Sequence, residues 1–166
     1  MRNVRRIVVT GVAVAMAVVA VPLHTSAASQ MPFRATLTEI GPAALCGSFL
    51  CVTVTGPGQA THLGAISESA SVLVDLSTVD PVTTCSPEIR TSTLTAHNGD
   101  SITLQGPSVA VRNCAGLTPT WEDTWTVIGG TGRFAGATGS GANTVSINRT
   151  TTPVTSVTTF TGTISY

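Results

Sequence analysis

Two acidic residues, Glu68 and Asp123, lie in stretches whose alternate residues are apolar or aromatic. Glu68 shares even-numbered positions with apolar residues between His62 and Leu76, and Asp123 lies between Trp121 and Trp125 on the odd-numbered positions. Successive side chains of a β-strand point to opposite faces, so each acid is predicted to face inward with its apolar neighbours. A carboxyl group held against aromatic faces has a raised pKa and can act as a general acid or orient a polar ligand.

The same two acids have a purely structural interpretation, which the sequence leaves open. If either strand is flipped or bulged at a rim, its acid meets water or pairs with Arg90 or Arg133. His62 follows a glycine-rich stretch and is interpreted as a surface residue at a strand end rather than a proton-transfer group. The chain has no G-x-S-x-G or H-E-x-x-H motif, so no catalytic residue and no cofactor is predicted.

All the cysteines follow residue 28, and they are Cys46, Cys51, Cys85 and Cys114. An even number in an exported chain predicts two disulfides, and four cysteines allow three pairings. We favour Cys46–Cys51 as a local clip and Cys85–Cys114 as a link between two long loops. A metal site would need tighter ligand spacing with nearby histidines, which His62 and His97 do not supply, so no metal is predicted.

The first residues have the three-part pattern of a secretory signal peptide. Arg2, Arg5 and Arg6 precede an apolar run from Ile7 to Val21, and small residues follow up to Ala28. A transmembrane anchor is the alternative, but spanning a bilayer takes about 20 apolar residues and this run is shorter. We therefore predict a cleaved signal peptide over 1–28 and a single domain over 29–166. The mature protein is expected to be secreted or at the cell surface, without stable membrane insertion.

The charge balance argues against anionic partners. The chain contains no lysine, and five arginines and eight acids follow the predicted signal peptide. This mildly acidic composition offers no basic patch for nucleic acid or for anionic lipid. Charged residues make up only 10% of the chain, but 42% hydrophobic residues exclude a disordered chain.

The composition also predicts the fold class. The chain has 29 threonines and many valines, which are β-branched and favour strands. Turn residues separate short alternating runs, which predict strands near 33–40, 49–55, 60–76, 89–96, 101–105, 108–112, 121–128, 142–148 and 154–165. Gly56-Pro57-Gly58 is predicted to be a tight turn, and Asn98-Gly99 a type I′ hairpin turn. We expect a single antiparallel barrel of eight or nine strands, with a two-layer β-sandwich as the alternative.

A glycine-dense segment follows the two tryptophans and surrounds a single phenylalanine. We interpret it as a structural turn in which Phe134 plugs one end of the core. The residues of this predicted turn are Gly129, Gly130, Gly132, Phe134, Gly136 and Gly139. A nucleotide-binding loop is excluded because the third glycine of that motif and a Lys-Ser/Thr pair are missing.

This G-G-T-G-x-F-x-G-A-x-G pattern resembles the turn of plant dirigent proteins and, more distantly, of allene oxide cyclases. The chain is more similar to a group of exported bacterial proteins with no established activity, which have three landmarks in the same order. Here the landmarks are 58–64, 94–100 and the glycine turn. The resemblance implies an eight-stranded antiparallel barrel over about residues 33–166. It carries over no catalytic residue, because the cavity residues of the plant families have no matching positions here.

Three functional hypotheses follow from this interpretation. The first is a module that binds a small apolar or phenolic molecule, with Glu68, Trp121, Asp123, Trp125 and Phe160 as candidate ligand-binding residues. The second is a structural or cell-surface interaction protein whose barrel is filled with side chains, and the third is a cyclase- or isomerase-like enzyme. An open cavity favours the first and third hypotheses, and a filled interior favours the second. The oligomeric state stays open.

Overall fold

The computed structural model describes residues 29–106 and 111–166, and the predicted signal peptide lies outside them. Within these described residues, ten strands make up nearly all the regular structure, and one short 3₁₀ turn spans Gly132–Phe134. The described part of the chain has no helix with the length and hydropathy that a membrane crossing requires. The strands are β1 Met31–Ile40, β2 Ala43–Cys46, β3 Phe49–Ala60, β4 Gly64–Asp75, β5 Cys85–Ala96, β6 Ser101–Gln105, β7 Val111–Cys114, β8 Thr120–Gly130, β9 Thr138–Asn148 and β10 Thr155–Ser165.

Eight of the strands form a closed antiparallel barrel in the order β1-β10-β9-β8-β6-β5-β4-β3. Pairing between β1 and β3 closes the barrel, for example between Leu37 and Gly58. The short strand β2 adds to β3 outside this ring, and β7 pairs with the first residues of β5. The predicted eight-stranded barrel is therefore confirmed, and the two-layer sandwich alternative is wrong.

Side chains alternate between the barrel interior and the outside, as period-2 strand geometry requires. Along β1, β4 and β5, buried residues alternate with residues that are exposed or half-buried. The inward orientation predicted for Glu68 and for Asp123 is confirmed, because both are buried on the same face as their apolar neighbours.

The Gly56-Pro57-Gly58 stretch is not a turn, and that prediction is wrong. It lies inside β3, where Gly56 and Gly58 fall on the inward face next to β1. A Cβ atom on Gly56 would come within 2.0 Å of the Thr38 carbonyl oxygen. Glycine is therefore needed here because the two strands approach each other closely. In the sequence alone, such a glycine cannot be distinguished from the glycine of a turn.

Three other local predictions need correction. The strand predicted over 60–76 is interrupted by a turn at 61–63, where His62 has a φ of 67°. The hairpin at 97–99 is in the predicted place, but it is not type I′, because its only positive φ is at Gly99. The strand predicted at 108–112 begins at Val111 in the structure, and 107–110 lie outside the described residues.

Both predicted disulfides, Cys46–Cys51 and Cys85–Cys114, are confirmed. The first clips β2 to β3, and the second joins the start of β5 to β7. Both bridges lie at the same end of the barrel, where β1 and β9 end and where β3 and β10 begin. We name it the disulfide end.

The opposite end, which we name the glycine-turn end, brings the three sequence landmarks together. Arg133 of the glycine turn forms an ion pair with Asp100 at 3.6 Å and donates a hydrogen bond to the carbonyl oxygen of His62. Phe134 is fully buried there, and its ring lies 4.6 Å from that of Tyr166. The predicted plug at Phe134 is thus confirmed.

We expect replacement of Phe134 by alanine to destabilise the barrel by about 3–5 kcal/mol, because it removes a fully buried aromatic ring. The matched control is Phe49→Ala, since Phe49 is 40% exposed, and it should cost about 1 kcal/mol or less. Urea unfolding followed by tryptophan fluorescence measures both. Equal losses in the two variants would contradict the role of Phe134 as the plug.

Candidate functional site

The half of the barrel next to the glycine-turn end is filled by an apolar core. Trp125 lies in this core, with its ring 5.5 Å from Phe33 and 6.3 Å from Phe160. Its indole Nε1 donates a hydrogen bond of 2.9 Å to the carbonyl oxygen of Ala142. Trp125 and Phe160 are therefore both packed in the core, and the indole N–H of Trp125 already has a hydrogen-bond acceptor within the protein.

A buried ion cluster lies next to this core, on its side toward the disulfide end, and we name it the Arg90 cluster. The Nη2 atom of Arg90 lies 2.5 Å from Oε1 of Glu39 and 2.8 Å from Oε1 of Glu68. Its Nε donates to the hydroxyl of Ser92, and Glu39 also accepts a hydrogen bond from Ser156 at 2.8 Å. Charged groups are rarely fully buried unless paired, and this cluster supplies the pairing.

The strand register explains how three strands bring these groups together. Glu39 follows Leu37 on β1, Glu68 lies opposite Gly56 across the β3–β4 pair, and Arg90 lies opposite Val72 on β4. Because Gly56 has no side chain, β1 can approach β3 closely, and Glu39 and Glu68 reach the same guanidinium nitrogen.

The two carboxyl groups differ in their pKa values. Burial raises the pKa of Glu68 to about 7, although the attraction of Arg90 opposes this change. Burial also acts on Glu39, but Arg90 and hydrogen bonds from Glu68, Arg90 and Ser156 hold the pKa of Glu39 below its usual value. Of the two carboxyl groups, Glu68 is therefore the one that takes up a proton first as the pH falls.

A cavity of about 190 Å³ opens above the Arg90 cluster, at the disulfide end. Glu39 and Arg90 belong to its lining and lie nearest to the apolar core, so they form its floor. Glu88, Arg149 and Ser156 are further polar residues of the lining. Most of its wall is apolar and includes Leu50, Val52, Val54, Val72, Trp121 and Val145.

The structure separates the five residues predicted to bind a ligand. Trp121 alone among them lines the 190 Å³ cavity. Asp123, Trp125 and Phe160 line a void of about 10 Å³ beside Arg90, which has room for about one water molecule. Glu68 lines neither space, because it lies in the Arg90 cluster.

The sequence analysis missed Glu39, although a signal for it was present. Phe33, Ala35, Leu37 and Glu39 occupy alternate positions of one short strand, and all four are buried. This alternation of an acid with apolar residues is the same pattern that predicted an inward orientation for Glu68. Arg90, one of two partners suggested for the acids, is the partner of Glu68 in the structure.

The chemistry available in the barrel mouth is apolar contact combined with paired charges. The described residues include no group of three or more side chains suited to hold a metal ion. The groups on the floor already bond to each other, so they can orient a polar atom of a ligand without carrying an unbalanced charge.

Comparison of the chain with protein-family models, with curated proteins and with solved structures finds no match. The resemblance to dirigent-like barrels therefore stays a prediction. The geometry of the barrel interior is the basis for a functional proposal.

We expect the pH dependence of stability to report the protonation of Glu68. The folded-state pKa of Glu68 is above its unfolded value, so the folded protein binds more protons between about pH 4.5 and 7. Unfolding free energy should therefore fall as pH rises through this window, by up to about 1 kcal/mol per pH unit. Urea unfolding at pH 5, 6 and 7 measures the slope.

Glu68→Gln should flatten this slope, because glutamine mimics the protonated carboxyl group and does not titrate. The control is Glu122→Gln, at an exposed position on β8, which should leave the slope unchanged. A slope that is the same in wild type and in Glu68→Gln would rule out Glu68 as its source. Below about pH 4.5 both proteins should lose stability, since protonation of Glu39 weakens its pairing with Arg90.

Proposed function

We propose that this protein is an exported binding protein that holds one small, mainly apolar molecule in the mouth of its barrel. The observation that carries the proposal is the 190 Å³ cavity with an apolar wall and a charged, internally paired floor. An apolar cavity of about 150 Å³ is large enough to bind benzene. The cavity therefore suits a single ring or a short branched chain.

The shape of the lining supports an apolar ligand. Val54, Val72 and Val145 are buried side chains with few rotamers, and Trp121 adds a flat aromatic surface. Such a preformed wall loses little conformational entropy when a ligand binds. The polar floor would fix which end of the ligand enters first.

The cellular setting is part of the proposal. Two disulfides are typical of proteins from oxidising compartments, and the predicted signal peptide would direct the chain there. Membership in the exported bacterial group of dirigent-like barrels is proposed on the three landmarks, of which 58–64 and 94–100 both contact the glycine turn.

The other two hypotheses have less support. A structural protein with a filled barrel agrees with the packed core below the Arg90 cluster but leaves the cavity above it without a use. A cyclase- or isomerase-like enzyme would need Glu68 or Asp123 to reach its substrate, and neither residue lines the 190 Å³ cavity.

We expect toluene to bind to the native protein and to raise its Tm with the logarithm of the ligand concentration once that concentration exceeds the Kd. Val145→Phe should weaken this binding about tenfold or more, because Val145 is 2% exposed and its enlarged side chain would occupy the cavity. Isothermal titration calorimetry measures the affinity of each protein.

The matched control is Val157→Phe, since Val157 is 45% exposed on β10 and does not line the cavity. This variant should bind toluene as the wild type does. Absence of binding across a panel of one-ring and short-chain compounds, or equal weakening by both substitutions, would refute the proposed function.

A further inference from the structure

We infer that the Cys46–Cys51 disulfide is a redox switch for the cavity, because its reduction by a dithiol frees strand β2 and weakens binding of the ligand. This inference rests on the proposed function and adds the regulation of the same site. It depends on where the disulfide lies, on what else holds β2, and on how accessible the two sulfur atoms are.

The strand that this disulfide fastens belongs to the wall of the cavity. Ala43 of β2 lines the 190 Å³ cavity, and so do Leu50 and Val52 of the facing part of β3. Ala43 lies opposite Val52 in the β2–β3 pair, and Cys46–Cys51 connects the same two strands. β2 therefore closes one side of the cavity, and the disulfide holds β2 in that position.

Few other interactions hold β2 in place. All four of its residues are exposed, and among the described strands it pairs with β3 alone. By contrast, β1 pairs with both β10 and β3. A short, exposed strand with a single neighbour opens locally at a low cost in free energy. Once the disulfide is broken, we expect β2 to leave the cavity wall more readily.

The barrel itself does not depend on β2. β3 pairs with β4 along its whole length, and residues 55–60 of β3 pair with β1. Cys46 and Cys51 are five residues apart in sequence, whereas Cys85 and Cys114 are 29 apart. The stabilisation by a disulfide grows with the length of the loop that it closes. Reduction of Cys46–Cys51 should therefore loosen the cavity wall and leave the barrel folded.

The two disulfides also differ in their accessibility to a thiol. Cys46 is exposed and Cys51 half-buried, whereas Cys85 is 7% exposed and Cys114 half-buried. A thiolate of the dithiol attacks one sulfur, breaks the S–S bond and forms a mixed disulfide, which the second thiol then resolves. Two electrons and two protons pass to the protein as two cysteine thiols, and the dithiol becomes a disulfide. Because this attack requires access, we expect Cys46–Cys51 to be reduced first.

The first test is the order in which the disulfides are reduced. The native protein is treated with increasing dithiothreitol, free thiols are trapped with iodoacetamide, and peptide mass spectrometry locates them. We expect Cys46 and Cys51 to be labelled at a concentration about tenfold or more below the one that labels Cys85 and Cys114. Labelling of Cys85 and Cys114 first, or of all four together, would overturn the inference.

The second test measures the effect on binding. Calorimetry compares toluene binding by the oxidised wild type and by the double variant Cys46→Ser, Cys51→Ser. We expect about fivefold weaker binding in the variant, since the β2 side of the apolar wall is lost while the β3 side remains. The control is Leu45→Ser, because Leu45 is on β2, is 74% exposed and does not line the cavity. This control should bind toluene as the wild type does.

A third measurement needs no variant to fold and separates release of β2 from general unfolding. In wild type reduced only at Cys46–Cys51, the amide hydrogens of β2 should exchange with solvent faster, and those of β9 should not change. Reoxidation should restore both the slow exchange and the affinity for toluene. Equal exchange of β2 in the two redox states, or faster exchange throughout the barrel, would contradict the switch.

The outcomes separate this inference from the proposed function. If the oxidised wild type binds toluene and reduction of Cys46–Cys51 leaves its affinity unchanged, the switch fails and the proposed function stands. If the oxidised wild type binds none of the one-ring and short-chain compounds, the proposed function fails and the switch fails with it.

Discussion

The guanidinium group of Arg90, bonded to two carboxyl groups inside the barrel, is the constraint on which the rest of the interior depends. A buried charge without its partners would cost several kcal/mol, so Glu39, Glu68 and Arg90 must stay together once the barrel has closed. They come from β1, β4 and β5, so their contact links strands that lie on both sides of β3 and spans the β1–β3 closure. The cluster also divides the interior into a packed apolar half and an open half.

The two ends of the barrel have different physical roles. At the glycine-turn end, Phe134 fills the interior and Arg133 ties neighbouring turns together, so this end contributes packing. At the disulfide end the interior remains partly open, and less buried apolar area is available to order the chain. Cys46–Cys51 and Cys85–Cys114 lie at that end, where covalent links can replace missing core contacts.

The sequence predicted those features that depend on local pattern. Alternation correctly placed Glu68 and Asp123 in the interior, and the cysteine positions indicated both disulfides. Alternation could not show the position of each side chain along the barrel axis, because that position depends on strand register. Glu68 therefore lies in an ion cluster and Trp121 at a cavity, although both face inward. Gly56 was wrongly predicted to be part of a turn. The structure needs glycine there because of close contact with β1, and β1 is not adjacent to this position in the sequence.

The protonation state of Glu68 bears on what the cavity can recognise. Glu68 is separated from the cavity by Glu39 and Arg90, which belong to both the cluster and the cavity floor. With the proton on Glu68, one carboxylate balances one guanidinium, and the floor presents paired charges rather than an excess of either sign. Loss of that proton would leave two carboxylates on one arginine and make the floor negative. The protonation state of Glu68 therefore sets the charge of the cavity floor, although Glu68 itself does not line the cavity.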